Sequence, residues 1–171
     1  MEDDIAKAKR SIEILPKYYE SYFVLGEAYG QLKNFPKALE NYQAALQLGY
    51  PPSIILNNMG GVFFKLQQYD TAIVYFNRGL AYNVGSAQTW TNLGSCYTNK
   101  QQFNEAINCY AKAVSIDPNY AEAFTNMGSA YGMMKEYDRA IEAFGKAMEI
   151  EPNNTILYFY TGITYRFKGD A

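Results

Sequence analysis

Five glycines, Gly26, Gly60, Gly94, Gly128 and Gly162, stand 34 residues apart, each inside the same frame: YFVLGEAY, LNNMGGVF, WTNLGSCY, FTNMGSAY and YFYTGITY. A fixed period of this length restricts the fold more than any other property of the chain. Thirty-four residues hold one supersecondary motif, which cannot bury an apolar face alone and must stack on its neighbours. The period carries more than glycine. Twelve residues after each of the first four glycines come Ala38, Ala72, Ala106 and Ala140, and four further on come Tyr42, Phe76, Tyr110 and Phe144. Pro16, Pro118 and Pro152 mark repeat ends, and Pro51 lies one residue out of register.

Each repeat reads as two helices. In the third, Trp90, Leu93, Gly94 and Tyr97 follow the i, i+3, i+4, i+7 spacing of one helical face. A polar turn, TNKQQ, follows. Ala106, Ile107, Tyr110, Ala113 and Val114 then form a second apolar stripe, and Asp117-Pro118 closes the repeat. Gly and Ala at fixed places on facing stripes predict close approach of the two helices there.

The pattern W-x2-L-G-x2-Y, then A-x3-aromatic, then P, at period 34, resembles the tetratricopeptide repeat, and WTNLGSCY matches its first half letter for letter. The resemblance covers essentially the whole chain. It implies an all-α fold: a right-handed superhelical solenoid of antiparallel helix pairs, about ten helices, with a concave and a convex face. Full repeats are expected at 19–52, 53–86, 87–120 and 121–154. Residues 1–18 are then the second helix of a partial repeat, and 155–171 the first helix of another. The last helix carries Tyr158, Tyr165 and Phe167 with no following partner helix, so self-association through it, or membership of a longer protein, is expected.

Composition removes whole classes of function. The chain has no histidine, which excludes Ser-His-Asp and Cys-His catalysis and imidazole metal sites within it. Two cysteines, Cys96 and Cys109, cannot build a thiolate zinc site and read as small core residues. No phosphate-cradling GxxxxGK[ST] appears. No enzyme activity, cofactor or metal is expected. Fifteen basic and 17 acidic side chains give a net charge of −2, which points to neither nucleic acid nor an anionic membrane. The run ILYFYTGITY is too short to span a bilayer, so no membrane insertion is expected. The sparse cysteines point to a reducing, cytoplasmic setting.

Trp90 and the aromatics Tyr29, Phe63, Tyr97, Tyr131 and Tyr165 lie on the packing stripe, so function belongs on the opposite face of each first helix. By 100° per residue that face holds Glu20, Phe23, Val24 and Glu27 in the first repeat. It holds Asn57, Asn58, Gly61 and Phe64 in the second; Thr91, Asn92 and Ser95 in the third; and Thr125, Asn126 and Ser129 in the fourth. In the family these positions line the concave groove. Asn58, Asn92 and Asn126 form a ladder at the repeat period, beside Gly61, Ser95 and Ser129. A carboxamide both donates and accepts, so it suits a peptide backbone irrespective of sequence. Phe23, Val24 and Phe64 make one end of the groove apolar, and Phe159, Tyr160, Ile163 and Phe167 the other.

Co-chaperone members of the family grip a terminal carboxylate with cations on this face. Here Phe23 and Glu27, or Asn57 and Gly61, stand where a lysine and an asparagine are expected, and Gln88 and Asn92, or Glu122 and Asn126, where the later basic pair is expected, so a carboxylate clamp has little to hold its charge. The leading expectation is a non-catalytic scaffold that takes an extended peptide segment of a protein partner. Two alternatives are a self-assembling structural subunit and the targeting domain of a larger enzyme such as an O-linked glycosyltransferase. The second repeat, with Gly60-Gly61, Gly79 and Asn83-Val84-Gly85, is expected to be the softest, since an interior glycine costs a helix about 1 kcal/mol relative to alanine.

Overall fold

The computed structural model describes residues 2–169, with Glu2 described by its backbone alone. Among the described residues there are ten helices and no strand. Two compact halves divide the chain, Met1–Val84 and Gly85–Ala171. The first holds α1 (Glu2–Ile14), α2 (Tyr19–Gln31), α3 (Phe35–Gln47), α4 (Pro52–Lys65) and α5 (Tyr69–Tyr82). The second holds α6 (Ala87–Asn99), α7 (Phe103–Ile116), α8 (Ala121–Met133), α9 (Tyr137–Ile150) and α10 (Thr155–Gly169).

One turn, used four times, makes the helix pairs. Lys33, Gln67, Gln101 and Lys135 all adopt φ near +60°. The next residue's N–H reaches back over the helix end: Asn34 donates to the Tyr29 carbonyl at 2.8 Å, and Gln68, Gln102 and Glu136 donate to Phe63, Tyr97 and Tyr131 at 2.9 Å. This six-to-one bond is the Schellman closure, which satisfies orphan carbonyls and reverses the chain within three residues. The helices on either side are therefore antiparallel hairpins: α2/α3, α4/α5, α6/α7 and α8/α9. A left-handed conformation costs a residue bearing a Cβ about 1 kcal/mol, so packing of each hairpin must hold these turns closed.

That packing explains the coupling of glycine to the aromatic sixteen residues later. A Cβ on Gly26 would lie 2.5 Å from Tyr42 Cδ1, and one on Gly94 2.5 Å from Tyr110 Cε1. Gly60 and Gly128 stand in the same relation to Phe76 and Phe144, at 2.7 Å. At these sites the space that glycine leaves between the two helices is taken by a ring. A ring laid flat on a Cβ-free stretch of helix buries more apolar area than two methyls meeting there. Backbone approach does occur at Gly79, whose Cβ would lie 3.4 Å from the Ser53 carbonyl oxygen. Ala38, Ala72, Ala106 and Ala140 are completely buried beside the rings.

α10 repeats the first-helix frame with a different outcome. Only Leu157 and Thr164 are buried on it, and a Cβ on Gly162 would meet nothing within 4 Å. Tyr165, expected in the core with Tyr29, Phe63, Tyr97 and Tyr131, is 56% exposed, a correction with a simple cause: no second-helix ring covers this stripe among the described residues. Lys168 near the end of α10 hydrogen-bonds the Asp138 carboxylate at the start of α9.

Candidate peptide-binding face

In the first half, the outward face of α2 is built by spacing. Glu20, Phe23 and Glu27 fall at i, i+3 and i+7 and share one side of the helix, with Val24 beside them. Glu27 contributes to a cavity of about 200 Å³ together with Gly30, Gln31, Tyr42, Asn58, Gly61, Val62 and Lys65. Asn58 therefore sits among two charged groups of opposite sign, a carboxamide and a phenol. Gly30 and Gly61 keep the walls low: a Cβ on Gly61 would meet nothing within 4 Å, and one on Gly30 would meet only the Tyr42 hydroxyl at 3.9 Å and the Ala38 Cβ at 4.0 Å. A second cavity, of about 330 Å³, lies between α1 and α2 and takes in Asp4, Lys7, Ala8, Tyr18, Glu20 and Val24.

The apolar end of this face is covered in part by rings. Phe23 is half-buried and stacks on Tyr50 at 4.5 Å with 16° between planes. Tyr19 meets Tyr50 edge-on at 5.6 Å. Phe64 is half-buried against Tyr69, and Val24 remains exposed. Tyr50 takes the place, at the 34-residue period, that Pro16, Pro118 and Pro152 hold elsewhere. Gly49, with φ of +99°, turns the chain after α3, and the Tyr50 N–H donates to the Ala45 carbonyl at 3.0 Å, folding the ring back toward α2. The same loop puts Pro51 out of register. That irregularity is the sequence signal that could have identified Tyr50.

In the second half, hydroxyls expected on the groove bond carbonyls of their own helix. Thr91 is completely buried and donates to the Ala87 carbonyl at 3.0 Å, and Thr125 donates to Ala121 at 2.9 Å. Ser95 and Ser129 donate to the Thr91 and Thr125 carbonyls at 3.1 and 3.0 Å. Mid-helix Ser and Thr commonly bond the carbonyl four residues back, and the helical projection used for the sequence does not register this. Thr98 and Ser95 also reach the Tyr110 hydroxyl, at 3.0 and 3.5 Å. Asn57 and Asn58 in the first half, and Asn92 and Asn126 in the second, are half-buried.

The electrostatics follow burial. Partial burial raises the Glu27 carboxyl above its ordinary range. Burial, reinforced by the Glu27 charge, raises the Tyr42 phenol, and Tyr50 is raised by burial and by both Glu27 and Glu20. In the second half, burial pushes Cys96 up to about 12 and Cys109 up to about 11, so both are neutral thiols near pH 7 and poor nucleophiles. Among the described residues no three His, Cys, Asp or Glu side chains gather as a metal site would require, and no helix is long and apolar enough to cross a membrane.

Antiparallel helix hairpins repeated every 34 residues, each locking a ring onto a glycine, define a helical repeat scaffold. The chain belongs to the tetratricopeptide-repeat family. Tetratricopeptide-repeat models match residues 19–49 and 121–154, and a further TPR repeat model matches 94–135, together more than half of the chain. By sequence, no curated protein matches. By structure, the chain is similar to MamA at 24% identity and TM-score 0.76, over 91% of this chain and 85% of that one. It is similar to YrrB, described as a TPR protein with an unusual peptide-binding site, at 24% identity and TM-score 0.71, over 91% and 80%. The first TPR of Spaghetti (RPAP3), bound to the HSP90 peptide SRMEEVD, is similar at 23% identity and TM-score 0.65, over 67% and 91%.

Proposed function

We propose that this chain is a non-catalytic protein–protein interaction scaffold that takes an extended peptide segment of a partner on the first-helix face of its repeats. The observation that carries this reading is the cavity in the first half, where Asn58 stands beside Glu27, Tyr42 and Lys65 over two glycines. Donors and acceptors of both kinds ring an open concavity, which suits the alternating N–H and C=O groups of a peptide backbone. Asn92 and Asn126 occupy the equivalent places in the second half. YrrB and the RPAP3 domain, described as peptide-binding, support the class of partner.

The test replaces Asn58, Asn92 and Asn126 together by alanine and compares the proteins captured by wild type and variant. Specific partners are expected to be lost while far-UV circular dichroism stays unchanged. An identical set of captured partners at equal occupancy would remove the asparagines from the reading.

A second reading has its own observation. Tyr158, Phe159, Tyr165 and Phe167 on α10 are between 49% and 64% exposed, which favours self-association through that helix. Light scattering across a concentration series tests it: a mass that stays at that of the monomer excludes the reading.

A further inference from the structure

The α2 face of the first half carries charge and aromatic surface that peptide-backbone binding does not use, and the inference drawn from it rests on the scaffold reading above.

Glu20 and Glu27 lie two helical turns apart, about 10 Å along the axis, with Phe23 between them on the same side. Among the described residues neither carboxylate is in an ion pair. Moreover, Glu20 Oε2 is shut off from solvent and has no hydrogen-bond partner. Native proteins seldom leave a carboxylate oxygen in that state, because it loses water without gaining a donor. Between the two acids lies an aromatic plate, Phe23 stacked on Tyr50, with Tyr19 at its edge. Cavities open on both sides of this strip, one reached by Glu20 and the other by Glu27.

We propose that this strip is a guanidinium-recognition site, which takes an arginine side chain of the bound segment across the Phe23–Tyr50 plate and between Glu20 and Glu27. A guanidinium is planar, stacks on aromatic faces and carries five donors, so one group answers both the plate and the acids. A lysine ammonium satisfies the charge but not the plane. An acidic side chain meets two like charges and is rejected. Lys65, which lines the Glu27 cavity, is the local competitor, while Lys7 in the Glu20 cavity is paired with Asp3. The site therefore favours a ligand of opposite charge to the carboxylate ligands expected for co-chaperone relatives.

Selection of a random dodecapeptide library on the whole chain tests the inference. Peptides enriched by wild type should share an arginine at one aligned position. Resynthesis with citrulline there should weaken binding about tenfold, the equivalent of one charge-assisted contact. In Glu20→Gln/Glu27→Gln the arginine and citrulline peptides should bind alike, and Lys65→Gln should strengthen the arginine peptide a few-fold. Asn58→Ala should weaken both peptides by the same factor. Enrichment without arginine, or a citrulline penalty that survives in Glu20→Gln/Glu27→Gln, overturns the guanidinium site and leaves the groove standing. A library that yields no enriched peptide overturns the groove reading, and this site with it.

Discussion

The hairpins α2/α3 and α6/α7 share one frame and a tyrosine at the same place, yet they use its hydroxyl differently. Tyr110 is 1% exposed, and its hydroxyl is held by Thr98 and Ser95, closing that face of the second half. Tyr42 is also buried, but its hydroxyl end lies by Gly30 at the wall of the cavity that Asn58 and Glu27 share. The ring does the same packing in both. The residues left free by the motif, Ser95 and Thr98 in one hairpin and Glu27 and Gly30 in the other, decide whether the polar tip is structural or available. Fold and function are thus written in different letters of one repeat.

The sharpest way to break this comparison is at the glycines. Gly94→Ala places a methyl within contact of the Tyr110 ring and should cost about 2 kcal/mol in urea unfolding. Gly162→Ala, at the same frame position, meets nothing and should stabilise by about 0.5–1 kcal/mol. Equal effects at the two sites would refute the account of the glycine–ring lock.

The tyrosines come next. Tyr110→Phe removes partners from two hydroxyls and should cost about 1 kcal/mol, whereas Tyr42→Phe should change stability by less than about 0.5 kcal/mol and act instead on peptide affinity. The turns give an effect of similar size and opposite sign. Gln101→Gly, at φ of +58°, should stabilise by about 1 kcal/mol, and Gln67→Gly likewise in the first half.

The smallest effect is in alkaline solution. Cys96 and Cys109 have folded pKa values pushed up to about 12 and 11, above an unfolded value of about 8.5. A raised pKa stabilises the fold while the thiol is neutral in both states. Above about pH 8.5 the unfolded chain ionises first, so the second half loses stability from there upward. The first half has no cysteine, and its raised phenols, Tyr42 and Tyr50, begin to act only near pH 10. Cys96→Ala/Cys109→Ala should flatten the loss between about pH 8.5 and 10, followed by Trp90 fluorescence.

The helix pairs were legible in the sequence because periodic glycine, alanine and aromatic letters report a packing constraint that every repeat obeys. Four things were not legible. That glycine faces a ring rather than a backbone depends on three-dimensional contact between residues sixteen apart. Thr91, Thr125, Ser95 and Ser129 were placed on the groove by helical projection, but their hydroxyls answer to the nearest carbonyl of their own helix. Tyr165 reads as core from its register, and register alone does not supply the helix that would cover it. The left-handed turns were hidden for a further reason: Lys33, Gln67, Gln101 and Lys135 lack the glycine that usually marks such a turn.

Tyr50 has a consequence for alignment. An array of identical repeats offers an extended ligand equal energy in every frame, so the ligand has no preferred address and slides by whole repeats. A ring that occurs once, where the other repeat ends carry Pro16, Val84, Pro118 and Pro152, lifts that degeneracy. On the scaffold reading proposed above, the Gly49–Tyr50 loop is the index mark against which a bound chain can be counted.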